Sequence, residues 1–250
     1  MGIDAVILAG GRGDPAGLAE AGVESWAMMP VRGKPMYAHV LNAVLGCEQI
    51  DRVSIAGNVP EGEGYTVIEP GASLLENVRK GLEGSMAEWV LFVTADIPFV
   101  TSEALSRFIA DCQESGADIC YAIVPAEACR AKFPNIKRTT AKLREGEFTG
   151  GNLFFVRRQS ALGQLHRLEE LYAYRKSPVR LAMVIGLGVL IRFVLARLIS
   201  PKLISLRHVE ERASLAIGVP ARAIVSPYAE VGADIDTAEQ WRLATQAERD

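Results

Sequence analysis

Three short runs in this 250-residue chain carry the residue types that phosphate and metal chemistry needs: Gly10-Gly11-Arg12-Gly13, Thr94-Ala95-Asp96 and Asp234-Ile235-Asp236. Without side chains at Gly10 and Gly11, several backbone N–H groups can approach one anion closely, and Arg12 adds a fixed positive charge beside them. Polyphosphate is the guest such a turn suits. Asp96 follows the most continuously apolar strand pattern of the chain, Trp89 to Thr94. A carboxylate there opens on the crevice where α/β sheets bind ligands. Asp-x-Pro is also good turn chemistry, but Thr101 and Ser102 stand ready to cap the next helix, which leaves Asp96 for function. Asp236 has two readings. With Glu239 it resembles a capping box, yet Asp234 on the approach is an acid that a cap does not explain.

The elements that must position these residues follow from periodicity. Ile3 to Ala9 is a β-branched run breaking into glycine, the pattern of a buried parallel strand. Pro35 to Gly46 has proline first, apolar residues at helical spacing and a terminal glycine, which predicts a helix. Strands follow at Arg52–Gly57 and Tyr65–Ile68, a helix over Ser73–Gly84, the strand Trp89–Thr94, a helix over Glu103–Ser115 and a strand at Ala117–Val124. Beyond it the chain reads as basic and irregular through Phe133, Pro134, Lys137 and Arg138. A strand at Thr139–Leu143 and the turn Arg144–Glu147 lead to Phe148–Asn152, which opens the strand Leu153–Val156. Glycines there mark a bulge or a close approach by another group. A strand at Ala221–Val225 and a helix running towards Arg249 close the chain. Strands alternating with helices predict a mostly parallel, twisted α/β sheet with helices on both faces.

Between Asp14 and Gly33, Pro15, Gly17, Gly22 and Pro30 predict irregular chain. Gly11 to Ala16 fits the dinucleotide fingerprint only formally, because that fingerprint needs a helix to start at once. The phosphate-loop pattern is absent, for want of Gly-Lys-Ser/Thr.

Composition narrows the class further. Cys47, Cys112, Cys120 and Cys129 show no paired spacing, and His39, His166 and His208 lie far apart, so neither a disulfide framework nor a zinc site is suggested. With no export signal at the N-terminus, a reduced cytoplasm is expected. The net charge of -3 conceals an asymmetry. Residues 1–129 hold 7 basic and 18 acidic side chains, residues 130–207 hold 16 and 4, and residues 208–250 hold 4 and 8. Such a basic block is either an anion site or a solvated face. It lacks the interleaved aromatics of nucleic-acid binders. Val179 to Ile199 is strongly apolar, but its uncharged core is about half the ~20 residues a spanning helix requires. It is expected to be a buried or homo-oligomeric helical segment, with peripheral lipid contact as the lesser reading.

Leu8-Ala9-Gly10-Gly11-Arg12-Gly13, Gly33-Lys34-Pro35-Met36, Thr94-Ala95-Asp96-Ile97-Pro98 and Asp234-Ile235-Asp236-Thr237-Ala238-Glu239, in this order, resemble the MobA-like nucleotidyltransferases related to molybdenum cofactor guanylyltransferase. The chain also carries Thr149-Gly150-Gly151-Asn152 and Arg175-Lys176-Ser177-Pro178, which resemble one branch of those proteins. The resemblance implies a single domain with a three-layer α/β/α, Rossmann-like, GT-A-type fold, and a basic, apolar helical subregion at about 157–207. It implies that Leu8, Ala9, Gly10, Gly11, Gly71, Ser73 and Asn77 bind the nucleotide, GTP or CTP. Arg12, Lys34 and Asp96 would be catalytic, and Asp96 and Asp236 would hold Mg²⁺. Arg138, Thr149, Gly150, Gly151, Asn152, Arg175 and Lys176 would meet an anionic, phosphorylated acceptor. Relatives usually carry a lysine where this chain has Trp26, so Lys34, Arg12 or Arg32 must substitute, or activity is low or altered.

The reaction so implied is attack of an acceptor phosphate on the α-phosphorus of a nucleoside triphosphate, expelling pyrophosphate. It needs charge neutralisation and alignment more than covalent machinery. Two other readings keep the fold: a metal-dependent glycosyltransferase using a nucleotide sugar, and a nucleotide-binding protein impaired by Trp26.

Overall fold

Six buried residues in a row, Ile3–Leu8, form strand β1, and their alternation sets the layering of the protein. In the computed structural model, which describes residues 2–11, 13–136, 138–174 and 204–246, Ile3, Ala5 and Ile7 face one apolar cluster and Val6 and Leu8 another. The chain continues through α1 (Pro15–Ala21), the hairpin β2 (Pro30–Val31) and β3 (Lys34–Pro35), α2 (Met36–Leu45), β4 (Arg52–Ala56), β5 (Thr66–Ile68) and α3 (Leu74–Gly84). Then come β6 (Trp89–Thr94), α4 (Ser102–Ser115), β7 (Ile119–Pro125), α5 (Ala126–Lys132), β8 (Thr140–Leu143) and β9 (Gly146–Arg157). They are followed by α6 (Arg158–Gly163), α7 (Leu165–Tyr174), α8 (Leu206–Ile217), β10 (Ala221–Val225) and α9 (Ala238–Gln246). Val40 and Val44 of α2 with Leu105 and Phe108 of α4 cover one sheet face. Leu82 of α3 and Ala161 of α6 cover the other, with Leu168 of α7 and Ile217 of α8 packed against them. The expected three-layer α/β/α arrangement is what forms.

The sheet order is β10-β7-β9-β6-β1-β4-β5, with β8 paired to β9 off this path. Every pair is parallel except those made by β9, which runs antiparallel to β6, β7 and β8. As the apolar run predicts, β6 is central, between β1 and β9. Leu8 lies opposite both Ala56 and Thr94, so β1, β4 and β6 end level with one another. That register places the turns after these strands on one edge of the sheet, where α/β folds bind ligands.

Three local expectations need correction. Residues 14–33 are not irregular throughout, because α1 runs from Pro15 to Ala21. Its apparent breakers are its ends: Asp14 caps it, Pro15 takes the first position where no N–H is needed, and Gly22 closes it in the left-handed conformation (φ 66°). The basic stretch after Val124 begins with helix α5, whose last turn carries Arg130 and Lys132, where cations suit the helix dipole. Strand β9 starts at Gly146 and contains the Thr149–Asn152 run instead of following it. Among the described residues no helix is long and apolar enough to cross a membrane. The 179–199 segment lies outside the described residues.

Candidate active site

The turn after β1 is fixed from both sides. The Ala9 N–H donates to Ala56 O at 2.8 Å, and the Ala95 N–H donates to Leu8 O at 3.1 Å. Leu8 and Ala9 are therefore buried and can offer a ligand only backbone, whereas Gly10 and Gly11 are exposed. A Cβ on Gly11 would meet open space; one on Gly10 would lie 2.4 Å from Asn77 Nδ2. Asn77 is 2% exposed, and its Oδ1 accepts from the Gly71 N–H at 2.6 Å. Gly71 and Asn77 thus form one unit beneath the glycine turn, with Ser73 as the cap of α3, accepting from the Glu76 N–H. Arg12 lies outside the described residues. The start of α1 is no anion site, because the Asp14 carboxylate already accepts from the N–H groups of Ala16 (3.0 Å) and Ala238 (3.0 Å). The dinucleotide reading therefore fails for a different reason than the expected lack of a helix.

Trp26 explains the glycines further along. A Cβ on Gly13 (φ 60°) would sit 2.3 Å from the Trp26 ring and one on Gly17 2.9 Å from it, so the indole occupies space that only these glycines leave. Trp26 is 4% exposed and donates from Nε1 to Ile235 O at 2.6 Å. It supplies no charge to a phosphate. Of the proposed substitutes, Lys34 is exposed on the β2–β3 hairpin, whose Pro30 O accepts from the Trp241 indole at 2.8 Å. Arg32, at the hairpin tip, lies over the Phe99 ring at 5.0 Å, in the loop that follows Asp96.

The structure brings the Asp96 loop against the Asp234–Asp236 segment, with Asp236 near enough to act on the Asp96 charge. Asp96 is partly buried and accepts from the Thr94 hydroxyl at 2.5 Å. Burial pushes its carboxyl up to about 6 and the Asp236 charge adds to this, while the Thr94 hydroxyl and the Arg138 guanidinium pull the other way. It is not a helix cap, since Thr101 takes that duty for α4. Nor does Asp236 make the capping box expected with Glu239. The box sits one residue on: Thr237 Oγ1 accepts from the Gln240 N–H at 3.2 Å, and Gln240 Oε1 accepts from the N–H groups of Asp236 (2.7 Å) and Thr237 (3.1 Å). That releases the exposed Asp236 carboxylate from any capping role.

The segment bearing it is held almost atom by atom. Arg138 pairs with the Asp234 carboxylate and donates to Asp234 O at 2.8 Å, and Asn152 Nδ2 donates to Asp234 Oδ1 at 3.2 Å. The Ile235 N–H donates to Asp96 O at 2.9 Å, directly tying the two acid-bearing loops. Two carboxylates gathered this way, one partly buried and one free of structural duty, are an oxygen donor set of the kind that holds Mg²⁺ together with substrate phosphates. Among the described residues no group of three or more His, Cys, Asp or Glu gathers to hold a metal by itself.

The residues expected to meet an acceptor divide. Arg138 faces Asp96 and Asp236 as well as Asp234 and so belongs to the acid cluster. Asn152 reaches the same cluster, whereas the Thr149 hydroxyl donates to Thr139 O at 3.0 Å. Gly150 and Gly151 answer the alternative left open for them with both readings. The β7–β9 register shifts between Tyr121 and Ile123, and added Cβ atoms would lie 2.3 Å from the Tyr121 hydroxyl and 2.7 Å from Ala122 Cβ. The approaching groups belong to the protein itself. Arg175 and Lys176 lie outside the described residues. Much of the described basic block is paired, Arg130 with Glu147, Lys132 with Glu230, and Arg157 with Glu88 and Asp118.

The profile of the MobA-like NTP transferase domain family matches residues 5–229. A solved hypothetical transferase from Thermus thermophilus is 39% identical, with a TM-score of 0.85 over 96% of this chain and 100% of that one. The 2-C-methyl-D-erythritol 4-phosphate cytidylyltransferase of Chlamydia abortus is 26% identical over 48% of this chain and 56% of its own length. A molybdenum cofactor guanylyltransferase of Shewanella frigidimarina is 28% identical over 48% of this chain and 62% of its own. The match thus spans little more than half the length of these curated relatives.

Proposed function

Because the chain belongs to the MobA-like NTP transferase domain family, we propose that it is a Mg²⁺-dependent nucleotidyltransferase, moving a nucleoside monophosphate from GTP or CTP to a phosphorylated small molecule. The observation that carries this reading is the meeting of Asp96 with the Asp234–Asp236 segment on the sheet edge that also holds the exposed Gly10–Gly11 turn. The cytidylyl and guanylyl transfer named for the Chlamydia and Shewanella relatives supports the same class.

An acceptor phosphate is ionised at neutral pH and needs no general base. Its oxygen attacks the α-phosphorus in line; as the new P–O bond forms, the α–β bridging bond breaks, and pyrophosphate leaves with the electron pair. The backbone N–H groups of Gly10 and Gly11 cradle the triphosphate, and Asn77 keeps the turn open by holding Gly71 below it. Asp96 and Asp236 would hold Mg²⁺, which when bound would neutralise phosphate charge. Arg138 keeps the acid cluster balanced before substrate arrives. With Trp26 neutral, Lys34 would supply positive charge; Arg12 for the triphosphate, and Arg175 and Lys176 for the acceptor, rest on the sequence resemblance alone.

A thermal-shift panel of the four nucleoside triphosphates with and without Mg²⁺, followed by pyrophosphate release with phosphorylated acceptors, tests this. One triphosphate should stabilise the protein by mass action and release pyrophosphate with an acceptor. Turnover of a nucleotide sugar without pyrophosphate would instead mean glycosyl transfer. No stabilisation by any nucleotide would overturn the proposal.

A further inference from the structure

We infer that Trp26 is a positioning residue: through its indole N–H on Ile235 O it presets Asp236 beside Asp96, so that the pair stands ready for a divalent cation. This rests on the metal-site reading above and adds a residue that the reading does not require.

Asp234 is held by Arg138 and Asn152, the Ile235 N–H by Asp96 O, and the Asp236 N–H by Gln240. The Asp234 and Asp236 bonds fix the two ends of the 234–236 segment, and the Ile235 N–H bond fixes one side of its middle. The bond from Trp26 to Ile235 O, at 2.6 Å, fixes its middle, between the acid that ties to Arg138 and the acid that faces Asp96. A peptide unit held at both its N–H side and its C=O side cannot rotate, and the direction of the next residue is then set. That next residue is Asp236.

The indole is in turn fixed by its own surroundings. Its ring fills the space above Gly13 and Gly17, and Met29, Val31, Met36 and Ile235 complete an apolar cluster around it. The buried indole brings no charge to a phosphate; it brings rigidity to the acids. Pre-organisation of that kind appears in ligand affinity, because less ordering remains to be done on binding.

The test is Mn²⁺ affinity measured by water-proton relaxation on the nucleotide-free protein, well below the Tm of each variant. Trp26→Phe keeps ring packing and loses the N–H; it should weaken Mn²⁺ about three- to tenfold, the range set by one lost hydrogen bond. Trp241→Phe is the control. It deletes an indole bond of 2.8 Å to Pro30 O in the same neighbourhood and should leave Mn²⁺ affinity unchanged. If Trp26→Phe does not fold, Gly17→Ala serves, since its Cβ would lie 2.9 Å from the ring and displace it, with Ala238 Cβ at 3.2 Å the other neighbour that must give. It should weaken Mn²⁺ to a similar degree. Lower Tm with unchanged Mn²⁺ affinity in these variants would overturn the inference and leave Trp26 a packing residue only. Asp236→Asn separates the two claims: if it too leaves Mn²⁺ binding intact, the metal-site reading itself fails.

Discussion

Replacing Asp96 by asparagine should stabilise the metal-free protein at neutral pH while removing its response to Mg²⁺ and triphosphate. Burial and the neighbouring Asp236 raise the Asp96 carboxyl from 3.8 to about 6, which means the folded protein pays to keep it ionised. At 1.36 kcal/mol per unit this amounts to at most about 3 kcal/mol, and partial exposure reduces it to about 1–3 kcal/mol. The sign follows from linkage. Between pH ~4 and ~6 the folded state binds more protons at this site than the unfolded one, so stability falls as pH rises through that window and then levels off. Asparagine keeps an oxygen for the Thr94 hydroxyl and carries no charge. Urea unfolding of both proteins across pH 3.5 to 8 isolates the effect. Their stabilities should meet at the acid end and diverge towards neutrality in favour of Asp96→Asn, a gain of about 2–4 °C in Tm per kcal/mol for a chain of this size. Mg²⁺ with triphosphate should then raise the wild type but not the variant. A variant less stable than wild type at pH 7.5 without metal, or a difference that does not change with pH, would refute the reasoning.

Arg138→Met should destabilise by about 3 kcal/mol, the cost of stranding a partly buried carboxylate at Asp234, and should move the Asp96 titration, followed by carboxyl NMR, above its present value of about 6. Gly10→Ala should weaken triphosphate binding about three- to tenfold in a titration and lower Tm, because the new Cβ would displace the buried Asn77 amide that holds Gly71. Trp26→Lys should lower stability by roughly 3 kcal/mol or more in urea unfolding, through loss of buried ring packing, and should not raise turnover.

How much of this was legible beforehand depended on whether the cause was local. The strand at Ile3 and the helices expected over residues 73–84 and 103–115 rest on period and end signals within a dozen residues, and they form within one residue of those bounds. Helix α1 was hidden because proline and glycine mark loops and helix ends alike, and only the Asp14 bonds reveal which. The sequence Asp236-Thr237-Ala238-Glu239-Gln240 supports two capping boxes one residue apart, and the choice between them frees or occupies Asp236. Trp26 read as a missing charge because its partner, Ile235 O, is 209 residues away. The basic block looked unbalanced for the same reason: Glu88, Asp118 and Glu230, which neutralise parts of it, lie outside the block.

The most direct test is an anomalous difference map from crystals grown with Mn²⁺ and a non-hydrolysable GTP or CTP analogue. A peak bound by the carboxylates of Asp96 and Asp236 is expected, with the triphosphate laid across the Gly10–Gly11 turn. Metal bound away from these two acids, or a triphosphate seated elsewhere on the sheet, would contradict it.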